Sequence, residues 1–191
     1  MKNKLRTLTT ICLTIGLLSF TTKSELPESW FKAGSKPDSY LMKIDKDIYK
    51  TGKSSATIQS IDKKIKGFGT LMQTCSAKDY LGKKIKMTGF VKSENITSWA
   101  GLWFRVDSKD GGPSLSFDNM QNRAIKGTTD WKEYEIILDV PKNASTLNFG
   151  ALLDGTGKLW FDNIKIEIVS DITKSTGRKK LLKPSNLNFE D

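Results

Sequence analysis

Hydrophobic and polar residues alternate with a period of two through most of this chain. In "SWAGLWFRVDS" (98–108), Ala100, Leu102, Phe104 and Val106 are apolar. Trp99, Gly101, Trp103, Arg105 and Asp107 interleave with them. A strand sends alternate side chains to opposite faces, so one face here is plain core and the other carries indoles, a guanidinium and a carboxylate. The same alternation runs through Tyr40, Met42 and Ile44, then "SATIQSI", "GFGTLMQTCSA", "KIKMTGFVK" and "PSLSFDNM". "WKEYEIILDVP" puts Tyr134, Ile136, Leu138 and Val140 on one face. "TLNFGALL" does so with Leu147, Phe149 and Ala151, and the final segment with Ile164, Ile166 and Ile168. Gly, Pro, Asn and Asp clusters separate the segments. No amphipathic helical run exceeds about two turns; "AKDYLGKKIK" (77–86) offers one short turn. The pattern predicts an all-β fold, a jelly-roll β-sandwich of about eight to nine antiparallel strands.

Before and after this pattern the chain changes character. Residues 1–24 hold Lys2, Lys4, Arg6 and Lys23 and no acid, with an apolar run from Leu8 to Phe20. That is the layout of a secretory signal peptide, and the run is short for a bilayer span. The expected organisation is a signal at 1–24, a jelly-roll domain at 25–169 and a basic linker or tail at 170–191. The expected location is outside the bacterial cytoplasm: secreted, periplasmic or on the cell surface, with no membrane span beyond the signal segment. The net charge of +10 is concentrated at the N-terminus and in "GRKKLLK" (177–183), so it is not a nucleic-acid footprint, which would interleave basic and aromatic residues on one element. Beyond the signal the chain keeps one cysteine, Cys75, so no intramolecular disulfide can form there. Its place in "GTLMQTCS", in phase with Leu71 and Gln73, predicts a small buried thiol.

The chain has no histidine. Ser-His-Asp and Cys-His centres and His-based metal sites are thereby excluded. There is no phosphate-binding glycine loop. Among Asp107, Asp118, Glu133 and Glu135 nothing marks the carboxylate pair a glycosidase needs. The sequence is therefore read as that of a non-enzyme.

Trp131 through Val169, read as "W..Y...LDVP..A..LNFG.LL.GTG.LWFDNI.IE.V", resembles the C-terminal half of carbohydrate-binding-module-like jelly rolls, the galactose-binding-like sandwich. The block from Leu71 to Asp107, with "LSFDNMQNRAIKGTTDW" after it, resembles a jelly-roll domain of secreted bacterial proteins, sometimes placed beside peptidase or esterase-like catalytic domains. The resemblance covers about residues 30–169 and implies the sandwich fold. It implies a non-catalytic, exported carbohydrate-binding-like module, served by a partner enzyme or assembled as a homodimer.

Face parity gives the candidate ligand residues. Trp103 and Arg105 oppose the core set of their segment, and Asn148 does so on "TLNFGALL". Gln73 is placed on the same face as a neighbour from "LMQTC". An indole stacks on pyranose C–H faces, while Arg, Gln and Asn bond hydroxyls, so a glycan or other small polar ligand is expected there. Asp118, Asn119 and Arg123 add polar groups from a strand end or rim loop, and Trp99 lies at the strand entry. The competing reading makes this a structural or interaction face, covered by residues 109–127 or a partner, with Trp103 as inner packing and Arg105 paired to Asp118. Trp131 and Trp160 are read as core caps. Asp162 shares parity with Ile164, Ile166 and Ile168, which points it inward. No cofactor is required. In the modules resembled, an Asp in this place often holds a structural calcium with an acid from the first strand, which implies Asp162 with Glu28. The alternative is that Asp162 accepts backbone N–H groups of the 155–158 turn.

Overall fold

The computed structural model describes residues 26–177, so the expected signal segment and the basic end of the tail lie outside the described residues. Nine strands follow one another: β1 (Phe31–Gly34), β2 (Tyr40–Asp45), β3 (Ser55–Ser60), β4 (Phe68–Ser76), β5 (Lys83–Ser108), β6 (Ser116–Asp118), β7 (Ile125–Val140), β8 (Ala144–Asp154) and β9 (Lys158–Val169). All pairings are antiparallel. The all-β sandwich expected from the alternation is what forms. Its strands differ from the expected set in two places. The short β1 was not legible, and two expected segments fuse into the 26-residue β5.

β5 belongs to both layers. Its first half lies between β7 and β9, in a sheet continued by β3 and β2. Its second half lies between β8 and the short β6, in a sheet continued by β4 and β1. The core fills the space between the layers. On the first half the core residues are odd-numbered: Ile85, Met87 and Val91. On the second half they are even-numbered: Ala100, Leu102, Phe104 and Val106, all fully buried. The strand must therefore slip by one residue in between, and its pairing with β7 is irregular from Val91 to Ala100. Asn95, with φ 53°, sits in that interval. A left-handed residue inserted in a strand is the geometry of a bulge, and Asn adopts it at lower cost than most residues.

The β8–β9 hairpin clamps this bulge. Thr97 donates its N–H to the Thr156 carbonyl (3.0 Å), and Thr156 donates back to Thr97 Oγ1 (3.0 Å). A Cβ on Gly157 would lie 2.7 Å from the Asn95 carbonyl oxygen, and its φ is +130°, so only glycine lets the two backbones meet here. The buried Tyr40 hydroxyl reaches the Gly155 carbonyl at 2.9 Å and that of Gly67 at 3.1 Å. Burial, helped by the Asp154 charge, pushes this phenol up to about 12.

β9 repeats the device. Leu159 and Phe161 point into the core, then Ile164 and Ile166 pack against it, with Asn163 at φ 53° between the two sets. Asp162 is therefore out of phase with the isoleucines. It lies opposite Phe90, level with Trp160 on the outer face, and not inward as expected. Asn163→Gly should leave the melting temperature within a degree or two. Asn163→Val should cost about 1–2 kcal/mol, because a β-branched residue resists the left-handed region. Equal melting curves for the two variants would remove the bulge as a constraint.

Candidate functional site

Trp103 lies opposite Gly150 of β8, and Gly150 lies opposite Met72 of β4. One row across the sheet thus carries an indole, a glycine and a thioether on the face away from the core. Leu152 joins them in a second apolar cluster, with Ala33, Phe68, Trp99 and Phe117 packed around it. These residues enclose a cavity of about 390 Å³, completed by Gly34, Thr70, Arg105 and Asn119. Its floor is sheet. Its outer wall is Phe117, which stands opposite Arg105 on β6. The cavity is open to solvent, and residues 117–119 cover it in part.

The polar groups under and beside this floor are committed to one another. Trp103 is only 7% exposed, and its Nε1 donates to Thr70 Oγ1 (2.7 Å), which donates to the Ala151 carbonyl (2.7 Å). Asn148 Nδ2 donates to Asp107 Oδ2 (2.9 Å) and Thr146 Oγ1 (3.3 Å), while its amide oxygen accepts from Thr74 (2.8 Å). Arg105 Nε and Nη2 both lie 2.9 Å from the same Asp107 oxygen. The guanidinium carbon stands 6.0 Å from the Trp103 ring centroid, close enough for a cation–π contact.

The structure brings together Trp99, Trp103, Arg105, Asn148 and Asn119, and separates the others. Gln73 pairs with Phe149, a core residue, so it shares the face of Leu71, while Met72 and Thr74 take the Trp103 face. The one-residue offset follows from the β4–β8 register, a non-local fact. Asp118 pairs with Phe104 and turns away from the cavity. Its oxygens accept from Arg123 Nη1 (3.1 Å) and Nη2 (2.8 Å) and from the Met120 N–H (2.8 Å). Arg123 also donates to the Glu135 carbonyl (3.0 Å). Asp118 and Arg123 therefore form a clamp on the loop after β6, and the expected Arg105–Asp118 pair is replaced by Arg105–Asp107. Cys75 is exposed, against expectation, because β1 ends its pairing at Met72 and leaves the end of β4 uncovered on that side. Partial burial still pushes its thiol up. Phe68, Ala33 and Phe117 are cavity residues that parity could not reveal, since they come from strands whose pairing is non-local or very short.

The face on the opposite side of the sandwich is held by a loop. Trp160 is 1% exposed there and donates its Nε1 to Asp45 Oδ2 (2.8 Å). Lys158 Nζ stands 4.3 Å from the Trp160 ring centroid and 3.7 Å from Asp45 Oδ2. Asp45 Oδ1 accepts the N–H groups of Asp47 and Ile48. Asp162 Oδ2 accepts those of Lys50 (2.9 Å) and Thr51 (2.8 Å), and Oδ1 that of Asn163 (2.7 Å). Asp162 thus anchors the loop between β2 and β3, a different loop from the 155–158 turn. Three N–H donors converge on the oxygens that a calcium would need, a donor set that does not fit a cation site. The exposed Glu28 lines an open cleft with Asp45 and Asp47. Among the described residues no group of three acidic, Cys or His side chains could hold a metal ion.

Comparison with known proteins adds a second line. No family model matches the chain. An uncharacterized HTH-type transcriptional regulator of Bacillus subtilis (strain 168), YbfP, is 38% identical over 183 residues, which cover 90% of this chain. The chain spans 62% of that protein's length. Among solved structures, the CBM22-1 xylan-binding domain of Paenibacillus barcinonensis Xyn10C superposes with a TM-score of 0.52 at 18% identity, over 74% of this chain and 86% of that one. The enzymatically active domain of tailspike protein 4 from bacteriophage CBA120 superposes with a TM-score of 0.58 at 12% identity, over 76% of this chain and 20% of that one. At these identities the structural likeness establishes the jelly-roll fold, which carbohydrate-binding modules and enzymes both use. The expected exported carbohydrate-binding module is overturned by this relative, which aligns over 90% of the chain and is described as a transcriptional regulator. The site's chemistry agrees with that correction, because Asn148, expected to bond hydroxyls, is bonded within the protein, as is the Trp103 N–H.

Two measurements check this geometry. Trp103→Ala should destabilise the fold by about 3–5 kcal/mol, as removal of a buried aromatic does, which denaturant unfolding would report; an unchanged midpoint would show the indole free of the packing. At Asp45, burial pushes the carboxyl up, but the Trp160, Asp47 and Ile48 hydrogen bonds and the Lys158 charge outweigh it and hold the group below 3.8. A carboxyl lowered on folding stabilises above its unfolded pKa and loses that contribution as pH falls through its folded value. The melting-temperature gap between wild type and Asp45→Asn should therefore close as pH is lowered below about 4. A gap that stays constant from pH 7 to 3 would show that the charge contributes nothing.

Proposed function

We propose that this chain is the ligand-receiving module of a regulatory protein, built to hold a small molecule and not to read DNA or catalyse a reaction. The observation that carries this is the aromatic cavity over Trp103, set in a sequence that aligns along 90% of its length with a transcriptional regulator. A helix-turn-helix needs two helices joined by a short turn. Residues 26–177 contain three 3₁₀ turns of three residues each and no α-helix. The described part of the chain is therefore the counterpart of something other than the DNA-reading helices. In a ligand-controlled regulator that remaining part supplies the differential affinity through which a small molecule shifts the equilibrium.

Non-catalytic use is supported by the chemistry of the face. The chain lacks histidine, no carboxylate is among the residues lining the cavity, and Asp107 and Asp118 are each bound to an arginine of the protein. The cavity's volume lies within the range of small-molecule sites, and its lining is mostly apolar with a few polar groups at the rim.

A thermal-shift panel of oligosaccharides, nucleosides and aromatic acids tests this, run on the full chain and on Ala33→Leu, which puts a larger side chain on the cavity wall. At 100-fold excess over Kd a ligand stabilises by about 2.7 kcal/mol, a rise of about 5–10 °C for a domain of this size. At least one compound should raise the wild-type melting temperature and leave the variant unmoved. A panel in which no compound distinguishes the two proteins would refute the ligand-receiving role.

A further inference from the structure

We infer that the cavity is built for an aromatic ring bearing a carboxylate, a deepening that rests on the ligand-receiving role above. The argument begins with what the cavity cannot offer. A pyranose brings several hydroxyls, each of which gives up bonds to water on entering. Their natural partners here are taken: the Trp103 N–H by Thr70, the whole Asn148 amide by Asp107, Thr146 and Thr74, and the Thr70 hydroxyl by Ala151. Hydroxyls buried against this floor would stay unpaired, which opposes binding. An aromatic ring loses nothing there, and gains edge and face contacts with Trp99, Trp103 and Phe117 and a sulfur contact with Met72.

The mouth carries the opposite chemistry. Arg105 spends Nε and Nη2 on a single oxygen of Asp107. Its Nη1 has no acceptor among the described residues, and the side chain is 43% exposed. Its Trp103 contact lays the guanidinium beside the floor. Asn119 accepts the Gln121 N–H through its amide oxygen (3.3 Å), which leaves its NH₂ as a donor. Both residues line the cavity. The rim therefore presents donors, one of them cationic, over an apolar floor. The ligand that satisfies both has a flat apolar body and an acceptor-rich, negatively charged end, and a carboxylate matches a guanidinium edge.

The experiment uses the full chain and three probes: 1-naphthoate, 1-naphthalenemethanol and xylotriose, titrated by saturation-transfer NMR. The acid should bind saturably, the alcohol about fivefold or more weakly for want of the charge-assisted bond, and the trisaccharide not at all. Arg105→Gln should bring the acid down to the alcohol's affinity and leave the alcohol unchanged. Ala33→Leu should abolish both. If Arg105→Gln does not fold, the acid-to-alcohol ratio on wild type decides alone. Equal affinity of acid and alcohol, or binding of the acid that persists in Ala33→Leu, overturns the inference. If xylotriose binds wild type but not Ala33→Leu while the acid does not bind, the inference fails and the ligand-receiving role stands. If no probe, and no compound of the wider panel, distinguishes wild type from Ala33→Leu, both fail.

Discussion

Everything in this molecule depends on one strand serving two sheets. β5 must place Ile85, Met87 and Val91 in the core from one layer and Ala100, Leu102, Phe104 and Val106 from the other. A strand with strict alternation cannot do this, because its period of two would carry the odd set inward along the whole length. Without the slip near Asn95, Trp103 and Arg105 would enter the core and four buried apolar side chains would leave it. The bulge is therefore what creates the outer site. It is held by long-range contacts, with the Gly155–Gly157 hairpin and Tyr40 pressing on it from elements distant in sequence. Bulges occur where a sheet must bend and a side chain must be re-aimed, and this one does both.

The second governing fact is the economy of polar groups on the Trp103 face. Burying an indole under partial cover costs little if its N–H finds an acceptor, and Thr70 provides one while donating its own hydroxyl hydrogen bond to a backbone carbonyl. Asn148 and Asp107 settle each other in the same way. Such a network stiffens the floor, and it also withdraws those groups from ligand recognition. A face that looks sugar-like by composition becomes apolar by bonding, with its open valences confined to the rim. Residue types alone do not determine which ligand a surface prefers; the pairing among them does.

This explains which features were legible in the sequence. The all-β class, most strand positions and the core set of 100–106 followed from local alternation. So did the placement of Trp103 and Arg105 on a common outer face. What failed was whatever required knowing the neighbour. Gln73 was misplaced because its face depends on β4's register with β8, and the residue beside it, Met72, took the site. Asp162 was misplaced by the Asn163 slip, which leaves no mark in a hydrophobic pattern sampled every second residue. Asp118 and Arg123 were grouped with the ligand residues, but a three-residue strand turned them toward each other. Cys75 followed Leu71 in phase yet lies beyond the reach of β1, whose own four residues carry no alternation strong enough to read.

The cavity joins long strands to a short one. Its floor belongs to β4, β5 and β8, which are paired along their lengths. Its outer wall belongs to β6, which is paired only through three residues of β5. Behind that wall, Ser175 and Thr176 bond Ile137 on the open edge of β7, and a Cβ on Gly177 would lie 3.3 Å from the Phe117 carbonyl. The backbone of the cavity wall thus lies beside Gly177. β6 is tied further by the Ser116 hydroxyl, which donates to the Asp139 carbonyl (2.7 Å), and by the Asp118–Arg123 pair. The wall, the edge of β7 and the segment after β9 thus meet on one side of the sandwich.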